Sequence, residues 1–111
     1  MARFIKGDLV VLPFPFSDLS SSKKRPALVL SDLQGEDIIL CQITSQKISD
    51  QYSIDLDEED IVSGKLIKKS NIRCSRIFTA DKSIILYRIG AISHEKFAEV
   101  RNQIVGLLDQ Q

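Results

Sequence analysis

The stretch GDLVVLPFPFSDLSSSKKRPALVLSDLQGEDIILCQITS, residues 7–45, decides the fold predicted for this chain. It reads as a strand over residues 7–13, a polar loop over 14–24, a second strand over 25–31, a turn over 32–36 and a third strand over 37–45. Pro26 stands at the start of the second strand, a position that tolerates a missing backbone donor. Residues 27–30 are apolar on both faces, which predicts a central strand covered on both sides.

Polar side chains occupy one predicted rim of this sheet. If the second and third strands pair antiparallel, the start of one faces the end of the other. Arg25 would then lie beside Thr44 and Ser45. A guanidinium group matches phosphate oxygens in a bidentate way, and the two hydroxyls add hydrogen-bonding groups. The pattern therefore predicts a phosphate site at this rim.

Length and composition predict one domain over residues 1–111 with a packed core, since 43% of the residues are hydrophobic and 27% are charged. Lys+Arg and Asp+Glu both number 15, so the formal net charge is zero. This balance argues against a general polyanion binder but allows local basic patches. The basic residues do cluster, in Lys23, Lys24 and Arg25, and again in Lys65, Lys68, Lys69, Arg73, Arg76 and Lys82. No apolar run has the length of a signal peptide or a membrane span, so we expect a soluble cytoplasmic protein.

Cysteine and histidine usage narrows the chemistry. Cys41 and Cys74 lack CxxC spacing and a secretory context, so we expect buried thiols and neither a disulfide nor a metal site. His94 is the only histidine, which argues against a histidine metal site and against a Ser-His-Asp triad at the Arg25 rim. We expect no metal and no cofactor.

The rest of the chain predicts short strands and one helix. Strands are expected over residues 52–56, 65–73 with a break near 70–71, 76–80, and 84–92 with an interruption at Gly90, and a helical turn is expected within 57–64. Ser93 is a predicted N-cap of a terminal helix. Its apolar stripe would comprise Phe97, Val100, Ile104, Leu107 and Leu108. The pattern predicts a mainly β fold with a C-terminal helix, arranged as a small, partly closed barrel.

A family resemblance extends over nearly the whole chain. The motifs that carry it, in order, are Gly7-Asp8-Leu9-Val10, Pro13-Phe14-Pro15-Phe16, Lys24-Arg25-Pro26-Ala27-Leu28-Val29-Leu30-Ser31, Ile43-Thr44-Ser45, Gly64-Lys65-Leu66, Ser70-Asn71-Ile72-Arg73 and Ile77-Phe78-Thr79-Ala80-Asp81-Lys82-Ser83. Their order resembles that of the PemK/MazF toxins of type II toxin–antitoxin systems. The resemblance implies an SH3-like barrel of the plasmid-maintenance toxin type and a homodimer. It also implies a metal-independent endoribonuclease that is inhibited by a cognate antitoxin, contacts operator DNA only through that antitoxin, and has no membrane partner.

The resemblance also implies roles for particular residues. Arg25 matches the catalytic arginine that precedes the proline, Thr44 matches the hydroxyl residue at the end of the third strand, and Ser45 matches the next residue, which often lines the same pocket. Substrate contacts are expected from Lys24, Asp18, Gln46, Arg73 and Ser75. Some family members carry an acid at the position of Ser75 and a glutamate or histidine in the first loop, where this chain has only Asp18 as an acid. The general base is therefore not identified by sequence.

Two other functions remain open at this stage. The same barrel could bind a protein target without catalysis, as related folds that poison DNA gyrase do. It could also bind RNA without cleaving it, which the serine at position 75 favours. Phe14 and Phe16 are expected to be core or loop anchors, and neither is expected to stack on bases.

Overall fold

The computed structural model of the protein describes residues 3–14, 23–65 and 68–110. Within these ranges, seven antiparallel strands form one sheet that a C-terminal helix covers. The elements are β1 Asp8–Phe14, β2 Lys23–Asp32, β3 Asp37–Thr44, β4 Ser53–Leu56, β5 Ile61–Gly64, β6 Ser70–Asp81, β7 Tyr87–Ile92 and α1 His94–Asp109, with short 3-10 helices over Glu58–Asp60 and Lys82–Ile84. The strand order β4-β6-β3-β2-β1-β7-β5 makes an antiparallel half-barrel, as the sequence predicts.

The three strands of the opening stretch form the centre of the sheet. Alternate residues of β1, β2 and β3 are buried in different cores, because successive side chains of a strand project to opposite faces. The helix-side core contains Leu9, Leu28, Cys41 and Ile43 together with residues of β4, β6, β7 and α1. The opposite core contains Val10, Leu12, Ala27, Val29, Ile38 and Leu40 with Phe4 and Phe14. Burial on both faces confirms the prediction of a central strand over residues 27–30.

Both ends of the predicted loop over residues 14–24 belong to strands. Phe14 still belongs to β1, and β2 already begins at Lys23. Phe14 is buried, and its ring packs edge-on against Phe78 with centroids 4.9 Å apart, which confirms a core role. Phe16 lies outside the described residues. β3 ends at Thr44, one residue earlier than predicted.

The helix α1 begins as the sequence predicts. The Ser93 hydroxyl oxygen accepts a hydrogen bond from the Lys96 backbone N–H at 3.1 Å, which confirms the N-cap. Residues of the predicted stripe pack on the helix-side core: Phe97, Val100, Ile104 and Leu107. The prediction for Leu108 is wrong, because its side chain is 78% exposed. Adjacent helical residues point about 100° apart, so only one of the two final leucines reaches the core.

The strand β6 corrects a predicted break. It runs without interruption from Ser70 to Asp81 and contains the predicted segment 76–80 and the end of segment 65–73. Its register with β3 shifts between the pairs Cys41↔Ile77 and Gln42↔Arg73. The three residues 74–76 of β6 therefore have no partner on β3. This bulge lets one long strand bend around the barrel, so the pieces predicted to end at residue 73 and to begin at residue 76 are one strand, which starts at Ser70.

The C-terminal strands also differ from the prediction. β7 begins at Tyr87 and not at residue 84, because Lys82–Ile84 form a 3-10 turn. Gly90 does not interrupt β7, since it pairs with both Leu9 and Gly64. The strand β5 follows the predicted helical turn and was not predicted. A salt bridge between Arg88 Nε and the buried Asp8 Oδ1, 3.0 Å apart, fastens β7 to β1.

Cys41 and Cys74 are buried free thiols, as the sequence predicts. Burial and the nearby Cys74 raise the pKa of Cys41 above its ordinary value. Burial, with the negative charges of Glu99 and Asp50, raises the pKa of Cys74 to about 11. In the described part of the chain, no helix is long and apolar enough to cross a bilayer.

The close approach of β5 and β7 predicts a glycine requirement. A Cβ on Gly90 would lie 2.3 Å from the Ser63 carbonyl oxygen, so the backbone must shift to accept it. We expect Gly90→Ala to lower the free energy of unfolding by about 1–3 kcal/mol, as overpacking does. Gly106→Ala is the matched control, since nothing lies within 4 Å of that Cβ and alanine favours helix by roughly 0.5–1 kcal/mol. Urea unfolding at equal protein concentration measures the free energy of unfolding of both variants. Equal stability of the two variants would contradict the prediction.

The buried thiols should resist alkylation in the folded protein. Because the thiolate is the nucleophile, a raised pKa and burial both slow the reaction with iodoacetamide at pH 8. We expect modification of Cys41 and Cys74 only after unfolding in guanidinium chloride, as measured by mass spectrometry. Ser75→Cys provides an exposed thiol next to Cys74 as the reactive control. Native modification of Cys74 at the rate of that control would contradict the assignment.

Candidate active site

The antiparallel register of β2 and β3 brings the predicted rim residues together. The last ladder pair before the rim is Ala27↔Gln42. Continuing this register by two residues places Arg25 opposite Thr44. Both residues, with Ser45, line one cavity of about 370 Å³, which we call the Arg25 cavity. The predicted meeting of Arg25 and Thr44 at one rim is thus present in the structure.

The residues that line the Arg25 cavity divide by chemistry into two sets, which we call its polar side and its apolar side. The polar side consists of Lys24, Arg25, Thr44, Ser45, Gln46, Lys68 and Ser70. The apolar side consists of Val11, Pro26, Ile43, Tyr87 and Ile89. A small cavity with several convergent polar groups and an apolar wall is typical of a ligand site, and its volume lies at the lower end of the usual range.

The charge on the polar side favours an anion. Three of its residues are cationic, and no carboxylate is among the described residues that line the cavity. The ion pairs found between described residues do not include Arg25, Lys24 or Lys68. The Arg25 side chain is half-buried, where its charge is screened less than at the surface. Its guanidinium is therefore available for an anion from outside the described chain.

The hydroxyl side of the cavity is held in place by local hydrogen bonds. Thr44 is only 9% exposed, and its Oγ1 accepts a hydrogen bond from the Gln46 backbone N–H at 3.2 Å. The Gln46 carbonyl in turn accepts one from Asn71 Nδ2 at 2.9 Å, which ties this segment to β6. With its oxygen already accepting one bond, the Thr44 hydroxyl still has a proton to donate toward the cavity.

The predicted substrate contacts divide between two places. Lys24 and Gln46 line the Arg25 cavity, whereas Arg73 and Ser75 line a separate hollow of about 460 Å³ at the β6 bulge. We call it the bulge hollow, and Gln42, Arg76, Ile77 and Phe78 complete its lining. Asp18 lies outside the described residues. Gln42 of the bulge hollow and Thr44 of the Arg25 cavity are two residues apart on β3, so about 7 Å of strand separates them.

A carboxylate holds Arg73 at the bulge hollow. Arg73 Nη2 lies 3.4 Å from Asp50 Oδ2, and the Arg73 side chain is 20% exposed. Desolvation raises the pKa of Asp50, but hydrogen bonds from the Tyr52 and Ser53 backbone N–H groups and from Arg73 outweigh it. Together they hold the pKa below its ordinary value. Asp50 is thus an anion at neutral pH and already neutralises part of the charge of Arg73.

Sequence reasoning missed several residues of the Arg25 cavity. Ser70 and Tyr87 had no assigned role, and Lys68 was noted only as part of a basic cluster. Tyr87 is far from Arg25 in sequence and reaches the cavity because β7 pairs with β1. The signal that could have found it is this strand order, which local periodicity does not contain.

The described side chains do not form a cluster of potential metal ligands. Among them, no group of three histidine, cysteine, aspartate or glutamate residues is arranged to hold a metal ion. His94 is exposed at the start of α1, away from the lining of the Arg25 cavity.

Solved structures with the same fold are found in several bacteria. A mycobacterial endoribonuclease in complex with its cognate antitoxin matches with a TM-score of 0.78 and 11% identity, covering 98% of each chain. The MazE–MazF complex of Deinococcus radiodurans matches with a TM-score of 0.75 and 21% identity over 100% of each chain. MazF alone from the same organism gives a TM-score of 0.77 and 23% identity, covering 99% of this chain and 100% of the other. These identities are low, so the likenesses establish the fold.

The family is established by sequence. No curated protein matches the chain at a significant level. The model of the PemK-like, MazF-like toxins of type II toxin–antitoxin systems, however, matches residues 5–108. That match contains every strand of the sheet and nearly all of α1. The chain belongs to the PemK-like, MazF-like family of type II toxins.

Proposed function

We propose that this toxin is an endoribonuclease that cleaves single-stranded RNA without a metal ion. The observation that carries the proposal is the Arg25 cavity, whose lining combines Arg25, which has no ion-pair partner among the described residues, with Thr44 and Ser45. The family and the endoribonuclease relatives support the same reaction.

The RNA supplies its own nucleophile in this reaction. The 2′-oxygen attacks the adjacent phosphorus while the bond from phosphorus to the 5′-oxygen breaks. The 2′-hydroxyl loses its proton, and the leaving 5′-oxygen gains one. The products are a 2′,3′-cyclic phosphate and a 5′-hydroxyl end. The protein must hold the phosphate in line, stabilise its growing negative charge and assist the two proton transfers.

Arg25 is assigned to the phosphate. Its planar guanidinium donates two hydrogen bonds to the non-bridging oxygens, whose charge grows in the transition state. Arginine holds its protons too tightly to act as a general acid. Arg25 therefore acts by electrostatic stabilisation, and Lys24 and Lys68 add positive charge to the same cavity.

Thr44 and Ser45 are assigned to orientation. The Thr44 hydroxyl is fixed by its bond from Gln46 and donates to the phosphate or to the 2′-oxygen. Ser45 and Gln46 follow it on the same wall. Arg73 and Ser75, at the bulge hollow, contact a neighbouring part of the RNA strand.

We also propose a homodimer in the cytoplasm that a cognate antitoxin inhibits and that reaches operator DNA only through this antitoxin. Two of the structures of similar fold are antitoxin complexes, which supports that partner. Large apolar side chains lie exposed on this chain at Val62, Leu86, Val105 and Leu108, and such side chains suit a protein partner.

RNA binding without cleavage is the second candidate. The observation that favours it is that neither a carboxylate nor a histidine is among the described residues lining the Arg25 cavity. Such a protein would bind RNA in a salt-dependent way and release no products.

Truncation of Arg25 should abolish most of the activity. We expect Arg25→Ala to lower the single-turnover cleavage rate by roughly 10²–10³-fold, the usual loss for one preorganised donor. Thr44→Val keeps the side-chain shape and should cost roughly 10- to 100-fold, as expected for loss of a hydrogen bond to a charged group. Arg101→Ala removes an exposed guanidinium on α1 and serves as the control. A loss of less than a few-fold in Arg25→Ala, with its melting temperature unchanged, would refute the assignment.

Metal removal should leave the reaction intact. We expect the antitoxin-free protein to cleave a long single-stranded RNA equally well with EDTA or with Mg²⁺, because the 2′-oxygen needs no metal to attack. End-labelling of the products should show 5′-hydroxyl ends. Arg25→Ala prepared in the same way reveals any contaminating nuclease. Loss of cleavage in EDTA that Mg²⁺ restores would contradict the mechanism, and RNA binding without cleavage would favour the second candidate.

A further inference from the structure

The apolar side of the Arg25 cavity contains one aromatic ring, that of Tyr87. Val11 pairs with Pro26 on one side and with Tyr87 on the other. Directly paired residues project to the same face of a sheet, so these three side chains form a row across β2, β1 and β7. All three line the Arg25 cavity.

Tyr87 is the most exposed residue of this row. It is 50% exposed, whereas its neighbour Val11 is buried. The aromatic and cation–π contacts found among the described residues join Phe14 to Phe78 and Lys6 to Phe97, and Tyr87 takes part in neither. An exposed aromatic ring that lines a cationic cavity is therefore available to a flat apolar group of the ligand.

The two sides of the cavity fit the two parts of one nucleotide. Lys24, Arg25 and Lys68 form a cationic side that suits a phosphate, while Tyr87 and the residues beside it suit a base. The volume of about 370 Å³ is small enough to favour a single nucleotide over several. Stacking of bases on aromatic side chains is a general means of holding single-stranded nucleic acid, because every base has a π-face.

We propose that the ring of Tyr87 is the platform on which one base of the RNA stacks while Arg25 holds the adjacent phosphate. This proposal rests on the proposed ribonuclease function and extends it to the base next to the scissile bond. The ring contributes affinity and position through its face, and its hydroxyl takes no part in proton transfer. The salt bridge from Arg88 to Asp8 holds the strand that carries the ring.

Substitutions separate the ring from its hydroxyl. We expect Tyr87→Leu to lower kcat/KM for a single-stranded RNA by roughly 10- to 100-fold, mostly through KM, in line with stacking losses on truncation. Tyr87→Phe keeps the ring and should stay within about 3-fold of the wild type. Ile84→Ala is the control, since Ile84 is 42% exposed but does not line the cavity. Wild-type kinetics in Tyr87→Leu would overturn the proposal, and so would a large loss in Tyr87→Phe, which would assign the role to the hydroxyl.

The sequence offers a direct optical test of stacking. The chain has no tryptophan and only two tyrosines, so Tyr52→Phe leaves Tyr87 as its only tyrosine. We expect a single-stranded, fully 2′-O-methylated RNA that contains every dinucleotide to quench Tyr87 fluorescence on binding. An abasic strand with the same backbone should bind through its phosphates with little quenching. Equal quenching by both strands, or none by either, would overturn the proposal.

The design distinguishes failure of this proposal from failure of the ribonuclease function. If Arg25→Ala loses cleavage while Tyr87→Leu keeps it, the platform is wrong and the function stands. If the wild type cleaves no RNA but the methylated strand still quenches Tyr87, the platform stands and catalysis is wrong. A loss in Tyr87→Leu that sedimentation traces to a changed oligomeric state would assign the residue to a protein interface and overturn the platform.

Discussion

The antiparallel register between β2 and β3 is the constraint on which the rest of the structure depends. It is specified on both faces, because Leu28 and Cys41 belong to the helix-side core while Val29 and Leu40 belong to the opposite core. A slip of one residue would exchange these sets and place each side chain in the wrong core. The same register sets Arg25 against Thr44, so the packing that stabilises the sheet also builds the candidate active site.

The bulge in β6 determines how the basic residues are distributed. Without residues 74–76 as an insertion, β6 would continue straight along β3. With these three residues inserted, β6 bends away from β3. Beside the bulge, Arg73 forms an ion pair with Asp50, and a second hollow lies next to Gln42. Arg25 and Arg73 are thus different electrostatically, since only Arg73 has a carboxylate partner among the described residues. This difference favours Arg25 over Arg73 as the residue that would bind a phosphate.

Much of the fold and of the candidate site could be predicted from the sequence, and the parts that could not be predicted have physical causes. The central strands and the N-cap at Ser93 follow from local patterns of apolar residues, turn residues and hydroxyls. The pairing of β7 with β1 depends on tertiary packing, so the contribution of Tyr87 to the cavity was not predictable from local periodicity. β6 was misread as two pieces because a bulge breaks the period of two without ending a strand. The bulge also explains why the sequence did not predict that Arg73 and Arg25 line different hollows. The family motifs give the order of the residues along the chain, but they do not give the bend in β6.

Neither a carboxylate nor a histidine is among the described residues that line the Arg25 cavity. This composition affects which kind of reaction the cavity could catalyse. An enzyme that must activate water or form a covalent intermediate needs a base beside its nucleophile. RNA brings an internal nucleophile already tethered next to the phosphorus, so most of the advantage of proximity is present in the substrate. What remains for the protein is alignment, stabilisation of the negative charge that grows on the phosphate oxygens, and assistance to the two proton transfers. A guanidinium without a carboxylate partner among the described residues, in one cavity with the hydroxyls of Thr44 and Ser45, suits the first two of these tasks, and the apolar residues of the same lining offer a surface against which the nucleotide can be aligned.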